Sequence, residues 1–373
     1  MRLLLKWPGF VLIPCLILLF ATVQIQQLFA QLPVDPAPGG YATYKGNIPH
    51  GVLKTVQYKS KTVGTTRKVE VYTPPGYTPS KKYPVMYLLH GIGGNENEWK
   101  YYSNPDFILD NLYAQNKLTP MIVVFPNGRA MKDDRPPANL FSSENMNAFA
   151  NFEYDLINDL IPFIDTTYSV LTGSENRALA GYSMGGGQSL NFGLGHMDKF
   201  AWVGGFSAAP NVKSASQLVP KPAETNEKMK LIYMACGDQD GLLSSNRDIH
   251  NYLTSKKVKH IWFVVKGAHE TKVWQNDLYN FSQLIFKSAP ITSAINISTS
   301  EPGFTYNQST KNIQLNNPEA KKNIEIHTIA GQLMKYFRGA KIEIIGLQGF
   351  KSGLYVLRLM EGNKISSGKF RIQ

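Results

Sequence analysis

Residues Arg177–Gln188 read RALAGYSMGGGQ. A short apolar run ends at Gly181-Tyr182-Ser183-Met184-Gly185 and passes straight into a stretch with helical character. This is a G-x-S-x-G turn between a strand and a helix, the setting in which a serine nucleophile stands above a sheet. The spacing has a steric reason. A serine on so sharp a turn is held in a strained backbone conformation, and a side chain two residues before or after it would collide with its neighbours. Gly181 and Gly185 remove those side chains. The helix is expected to start at Met184, so its free N–H groups and positive dipole end face the place where an oxyanion would form.

On the amino side of this turn, Val56–Thr73 contains alternating stretches such as Lys68-Val69-Glu70-Val71-Tyr72, which predict antiparallel edge strands before a turn at Pro74–Tyr77. Tyr83–Leu89 is continuously apolar, as a strand buried on both faces should be, and it delivers His90-Gly91-Ile92-Gly93-Gly94 at its carboxyl end. Met121–Phe125 is a second such strand. Arg129–Asn147 is polar, carries two prolines and has no periodicity, so it reads as a long loop of the kind that often forms a lid. Ala148–Tyr168 has apolar residues at helical spacing, with a break or kink expected at Pro162. Beyond the turn, strands are expected at Ala201–Phe206, Lys230–Cys236 and Ile261–Val265, and helices around Asn246–Lys256 and Lys272–Phe286. Alternating strands and helices predict an α/β fold whose mostly parallel sheet is covered on both faces.

The chain of 373 residues has room for one large domain and a small one. Residues 31–288 are expected to form the α/β domain, 289–303 a linker rich in Ser, Thr, Pro and Gly, and 304–373 a small all-β sandwich. The sandwich strands are read at Asn323–Ile329, Lys341–Ile345, Leu354–Leu359 and Gly368–Ile372, with Gly362-Asn363 turning the last hairpin. At the other end, Arg2 and Lys6 precede the apolar run Phe10–Val23, and Leu28-Phe29-Ala30 offers a cleavage site before Gln31. Residues 1–30 therefore read as a secretory signal peptide, too short and too interrupted by Pro14 for a retained span.

Removal of that leader takes Cys15 with it and leaves Cys236 alone, so no intramolecular disulfide can form. One cysteine and no histidine pair at zinc spacing give no metal site, and no cofactor is expected. The formal charge is +12, but no basic stripe interleaved with aromatics runs through the central part, which excludes nucleic acid as the expected partner.

Open α/β sheets bind ligands at the carboxyl ends of their strands. Four groups fall there: the His90–Gly94 loop, Ser183, the turn Cys236-Gly237-Asp238-Gln239-Asp240-Gly241, and His269 in Lys266-Gly267-Ala268-His269-Glu270. The order Ser, Asp, His is the one α/β-hydrolases use. His269 would take the serine proton, an aspartate would fix the imidazole, and the N–H groups of Met184 and Ile92 would hold the oxyanion. Spacing leaves Asp238 and Asp240 as equal choices. His50, His196, His250, His260 and His327 lack comparable placement.

These motifs, with Asn47–Gly51, Leu88–Trp99, Phe206–Asn211 and Gly267–Trp274, resemble the esterase D-like feruloyl esterases of carbohydrate esterase family 1 over roughly residues 38–287. The resemblance implies an α/β-hydrolase that cleaves hydroxycinnamoyl esters on feruloylated arabinoxylan or its oligosaccharides. It places the nucleophile on Ser183, the base on His269 and the acid on Asp240. Acetyl-xylan esterases share the same motif and are the alternative; a glycan-binding surface protein without turnover is the alternative from another class. Gly91, Trp99, Tyr101, Tyr102 and Trp274 are candidates for lining a slot for the acyl group. The tail, through Ile324–Ile326, Ile329–Gln332, Gly353–Arg358 and Lys369-Phe370, resembles the C-terminal sorting domain of the type IX secretion system. That resemblance implies outer-membrane secretion machinery as a partner and a secreted or surface-attached product.

Overall fold

The computed structural model describes residues 33–287, 295–298, 303–328, 333–362 and 364–372; the expected signal peptide lies outside them. The account below concerns the compact unit Val34–Gln373. Its strands β1 (Val52–Ser60), β2 (Thr65–Thr73), β3 (Val85–Leu89), β4 (Ile122–Pro126), β5 (Arg177–Tyr182), β6 (Trp202–Phe206), β7 (Leu231–Gly237) and β8 (Ile261–Val265) align in the order 1-2-4-3-5-6-7-8. β2 runs antiparallel to β1 and β4, and the other neighbours run parallel. Every residue of β3 through β8 is buried. That explains their continuous apolar runs: helices cover both faces, so no position alternates toward water. β1 lies at the sheet's edge and alternates instead.

The helices are α1 (Glu98–Ser103), α2 (Pro105–Ala114), α3 (Ser143–Asp155), α4 (Ile161–Thr167), α5 (Met184–Gly195), α6 (Ala215–Leu218), α7 (Pro222–Lys228), α8 (Leu243–Ser255) and α9 (Thr271–Leu284). α5 is buried almost throughout, with Leu190, Phe192 and Leu194 in the core shared by β3, β5, β6 and β7. α9 closes against the sheet through Phe281, whose ring lies 5.7 Å from both Phe206 and Tyr233.

Two expectations need correction. The polar loop expected through Asn147 ends earlier: Ser142 caps α3 by accepting the Asn145 N–H, and the helix begins at Ser143. The break expected at Pro162 falls one turn earlier. A π-helical turn, Leu156–Leu160, separates α3 from α4, with Pro162 in the first turn of α4. A proline there removes an N–H that the turn can do without. The π turn also places Asp155 and Asp159 inward, where Asp155 pairs with Arg67 and Asp159 accepts the Thr62 N–H.

The stretch expected as a linker contains β9 (Ile295–Ser298), which pairs in parallel with β8 on one side and with β16 (Lys364–Ile372) on the other. The sheet thus continues through β16, β15 (Gly353–Glu361), β12 (Lys322–Thr328) and β13 (Leu333–Ala340), all antiparallel. β10 (Phe304–Asn307), β11 (Asn312–Leu315) and β14 (Ile344–Gly346) form a second small sheet. The two layers enclose a core of their own, including Phe304, Ile313, Ile324, Tyr355, Leu357 and Phe370. The tail motif at 329–332 lies outside the described residues.

Candidate active site

Ser183 follows β5 and precedes α5 with φ 53° and ψ −120°, a region that side chains other than glycine's rarely enter. Hydrogen bonds hold it there. Its N–H donates to the Phe206 carbonyl, and its own carbonyl accepts from Gly187 and Ala209, all at 3.0 Å. A Cβ on Gly185 would sit 2.6 Å from the His90 carbonyl oxygen, so the turn closes only on glycine. The Met184 N–H belongs to the first turn of α5, where a helix leaves its donors without internal acceptors.

The loop after β8 brings His269 to this serine, Nε2 lying 3.0 Å from Ser183 Oγ. On the far side of the ring, Nδ1 lies 2.9 Å from Asp240 Oδ2. The Asp240 carboxylate is fully buried, which by itself would raise its pKa. Hydrogen bonds from His269 and from the Leu242 N–H outweigh burial and hold it below the ordinary carboxylate value. Asp238 goes elsewhere: its Oδ1 accepts the Gly267 N–H at 2.9 Å and ties the turn after β7 to the histidine loop. The two residues that spacing could not separate therefore have different partners.

Gly91 lies over the serine, and a Cβ there would come within 2.8 Å of Tyr182 and 3.6 Å of Ser183 Cβ. The Gly91–Gly94 loop is shaped by two residues, His90 and Arg129, whose individual roles are not readable from residue type. His90 is buried, its Nδ1 2.6 Å from the Gly91 carbonyl and its Nε2 2.8 Å from the Gly128 N. Nε2 must accept from that N–H, so Nδ1 carries the proton and donates. Burial pushes its pKa down to about 4, keeping the ring neutral. Arg129 is also buried. It donates to the carbonyls of Ile92 (2.7 Å) and Gly94 (3.1 Å) and to Asn145 (2.5 Å), and it lies over Phe149. With its carbonyl drawn to Arg129, Ile92 has its backbone orientation set from outside the loop. A lone arginine at the start of a polar stretch carries no sequence signal of such burial.

The candidate slot residues separate. Trp99 is only 1% exposed, donates Nε1–H to the Leu89 carbonyl at 3.0 Å and lies edge-on beneath Tyr182, so it has no face to offer a ligand. Its place is in the core. Trp274 stacks flat on Tyr182 (4.0 Å, 11°) and stands perpendicular to His269 (5.0 Å, 81°). Tyr101 and Tyr102 are 69% and 65% exposed on α1, too open for slot walls. Sequence reading missed another surface: Ile92, Met146 and Leu242, partly buried, pack over Phe149, Met184 and Ala209 beside the serine turn.

The remaining histidines lie elsewhere. His50 meets Asp110, His196 meets Glu153 and His327 meets Glu325, while His250 and His260 face each other at 2.7 Å.

Residues 60–284 match the Esterase family. The chain belongs to that family. A 253-residue segment of this Esterase-family chain is 30% identical to an endo-1,4-beta-xylanase/feruloyl esterase of Xylanibacter ruminicola; it covers 66% of the chain and 33% of that longer protein. A ferulic acid esterase from Anaeromyces mucronatus, solved with ferulic acid, is 30% identical, covers 68% of the chain and 98% of its own, and superposes with a TM-score of 0.62. The feruloyl esterase module of Clostridium thermocellum, solved with sinapinate, is 21% identical over 69% of this chain and 95% of its own, with a TM-score of 0.58. These neighbours share the α/β-hydrolase fold.

Proposed function

We propose that this chain is a secreted serine esterase that hydrolyses hydroxycinnamoyl, chiefly feruloyl, esters on plant cell-wall xylan. The observation that carries the reading is the line Ser183 Oγ, His269 Nε2, His269 Nδ1, Asp240 Oδ2, with steps of 3.0 and 2.9 Å beyond a strained turn. His269 accepts the serine proton as Ser183 attacks the ester carbonyl, and the Met184 and Ile92 N–H groups hold the oxyanion. The tetrahedral intermediate collapses to an acyl-enzyme as His269 protonates the departing alcohol. Water, activated by the same imidazole, then releases the acid. Buried Asp240 stabilises the imidazolium formed in both steps.

The acyl group is assigned from two sources. The relatives' names specify ferulate and sinapinate, and the apolar surface of Ile92, Met146 and Leu242 suits a planar phenylpropenoyl group better than an acetyl. The deciding experiment compares methyl ferulate with acetylated xylan, using Ser183→Ala as the blank. Ferulate turnover no higher than the blank would refute the acyl assignment. The tail, with its separate core, is proposed as the sorting domain that engages outer-membrane secretion machinery; fusing residues 303–373 to a reporter and following export tests that part alone.

A further inference from the structure

In the proposed reaction His269 returns its proton to the departing alcohol, so the alcohol oxygen must sit at Nε2 when the ester bond breaks. The alcohol therefore leaves past whatever borders that imidazole. Trp274 stands against His269, Tyr182 lies flat on Trp274, and the Tyr182 hydroxyl donates to Glu98 on α1 at 2.9 Å. Tyr102 is four residues beyond Glu98, on the same side of the helix.

The short helix carrying these tyrosines is fastened at both ends. Trp99 anchors it to the Leu89 carbonyl, and the Ser103 carbonyl accepts from Gln275 on α9 at 3.0 Å. The anchored helix thus carries two exposed phenol rings, Tyr101 and Tyr102, three and four residues beyond the Glu98 that holds Tyr182. No α1 residue belongs to the apolar surface assigned to the acyl group.

We infer that Tyr101 and Tyr102 form a shelf that binds the sugar ring of the departing alcohol. The C–H face of a furanose or pyranose is apolar and weakly positive, the complement of a phenol's π face, and its hydroxyls stay in contact with water and the phenol oxygens. The inference rests on the Ser183–His269 chemistry proposed above and adds where the glycan lies.

The test uses two esters of one acid, methyl ferulate and a feruloylated arabinoxylan oligosaccharide, on the full chain. In the Tyr101→Ala/Tyr102→Ala variant the sugar-ester to methyl-ester ratio of kcat/KM should fall about tenfold, the loss of one good stacking contact. Tyr101→Phe/Tyr102→Phe should restore that ratio to within about twofold, because the ring face and not the hydroxyl binds. An unchanged ratio in the alanine variant overturns the shelf, whether both rates hold or both collapse together. If the wild type ignores ferulate, the acyl assignment has failed. The same ratio measured with an acetylated oligosaccharide and ethyl acetate then decides the shelf independently.

Discussion

Asp240 Oδ2 lies 2.9 Å from Nδ1 of His269, whereas Asp238, two residues earlier on the same turn, accepts the Gly267 N–H. One carboxylate faces the imidazole and the other staples the loop that carries it. Asp240→Asn should lower kcat by about 10³- to 10⁴-fold, because the imidazolium loses its counter-charge and the amide can select the wrong tautomer. Asp238→Asn keeps an acceptor oxygen for Gly267 and should cost less than about tenfold. Steady-state kinetics on one activated aryl ester checks both. Equal losses would mean that the loop staple matters as much as the charge.

Ser183 holds a positive φ that only glycine tolerates without strain. Its side chain makes no contribution to the backbone bonds from Phe206, Gly187 and Ala209 that fix the turn. Ser183→Gly should therefore abolish ester hydrolysis and yet raise stability by about 1 kcal/mol, since strain of this kind stores roughly 1–3 kcal/mol. A denaturant midpoint below that of the wild type would show that the hydroxyl has a structural partner.

Most of the sheet was legible because β3 through β8 are buried on both faces and so read as unbroken apolar runs. The serine turn was legible for a different reason: Gly181 and Gly185 face backbone too closely for any Cβ, so sterics write the motif into the sequence. Asp238 and Asp240 were not separable by spacing because the difference lies in a loop 29 residues away in the chain. The aromatic assignments failed at Trp99 because a tryptophan after a glycine loop looks the same whether its ring faces the cleft or, as here, the Leu89 carbonyl. Arg129 and His90 were missed since their partners are main-chain carbonyls and amides, which leave no trace in residue type.

Arg129 leads to a third prediction. Replacing it with alanine strands the Ile92 and Gly94 carbonyls and the Asn145 amide, all of which it satisfies from a buried position. The loop bearing the Ile92 N–H should then lose its set orientation, with kcat falling about 10²-fold, the scale of losing one oxyanion donor. Lysine should not rescue, because a single ammonium cannot reach acceptors arranged for a planar fork. Substantial rescue by lysine would reduce the role of Arg129 to its charge.

The tail supplies a fourth. Its core is built from residues between Phe304 and Ile372, and the main core of the α/β sheet takes none of them. A chain ending at residue 302 keeps β9, and with it the partner of β8. That chain should remain soluble and keep wild-type kcat on methyl ferulate, because catalysis draws on the first core only. Loss of soluble activity would mean that β16 is needed to hold β9 against β8.

Acid should unfold the protein through its buried histidines. His260 Nδ1 lies 2.7 Å from the Val258 carbonyl and its Nε2 2.7 Å from His250 Nδ1, so a neutral relay runs from His250 through His260 to the backbone. The pair lies between α8 and the start of β8, with Trp262 stacked on His250, Thr254 at its side and the positive charge of Arg247 acting on it. Burial, the neighbouring imidazole and Arg247 push His250 down to about 4; burial also lowers His260, and His90 falls to about 4. Folded values below the unfolded value of about 6.5 mean that the unfolded chain binds more protons in between. The stability these histidines contribute is therefore full above about pH 6.5 and is lost as pH falls toward about 4, by up to about 1.4 kcal/mol per pH unit for each. His250→Gln keeps a donor for His260 but cannot titrate. Its Tm, measured from pH 7 to pH 4.5, should fall less steeply than the wild type's, and identical slopes would remove the pair from the account of acid sensitivity.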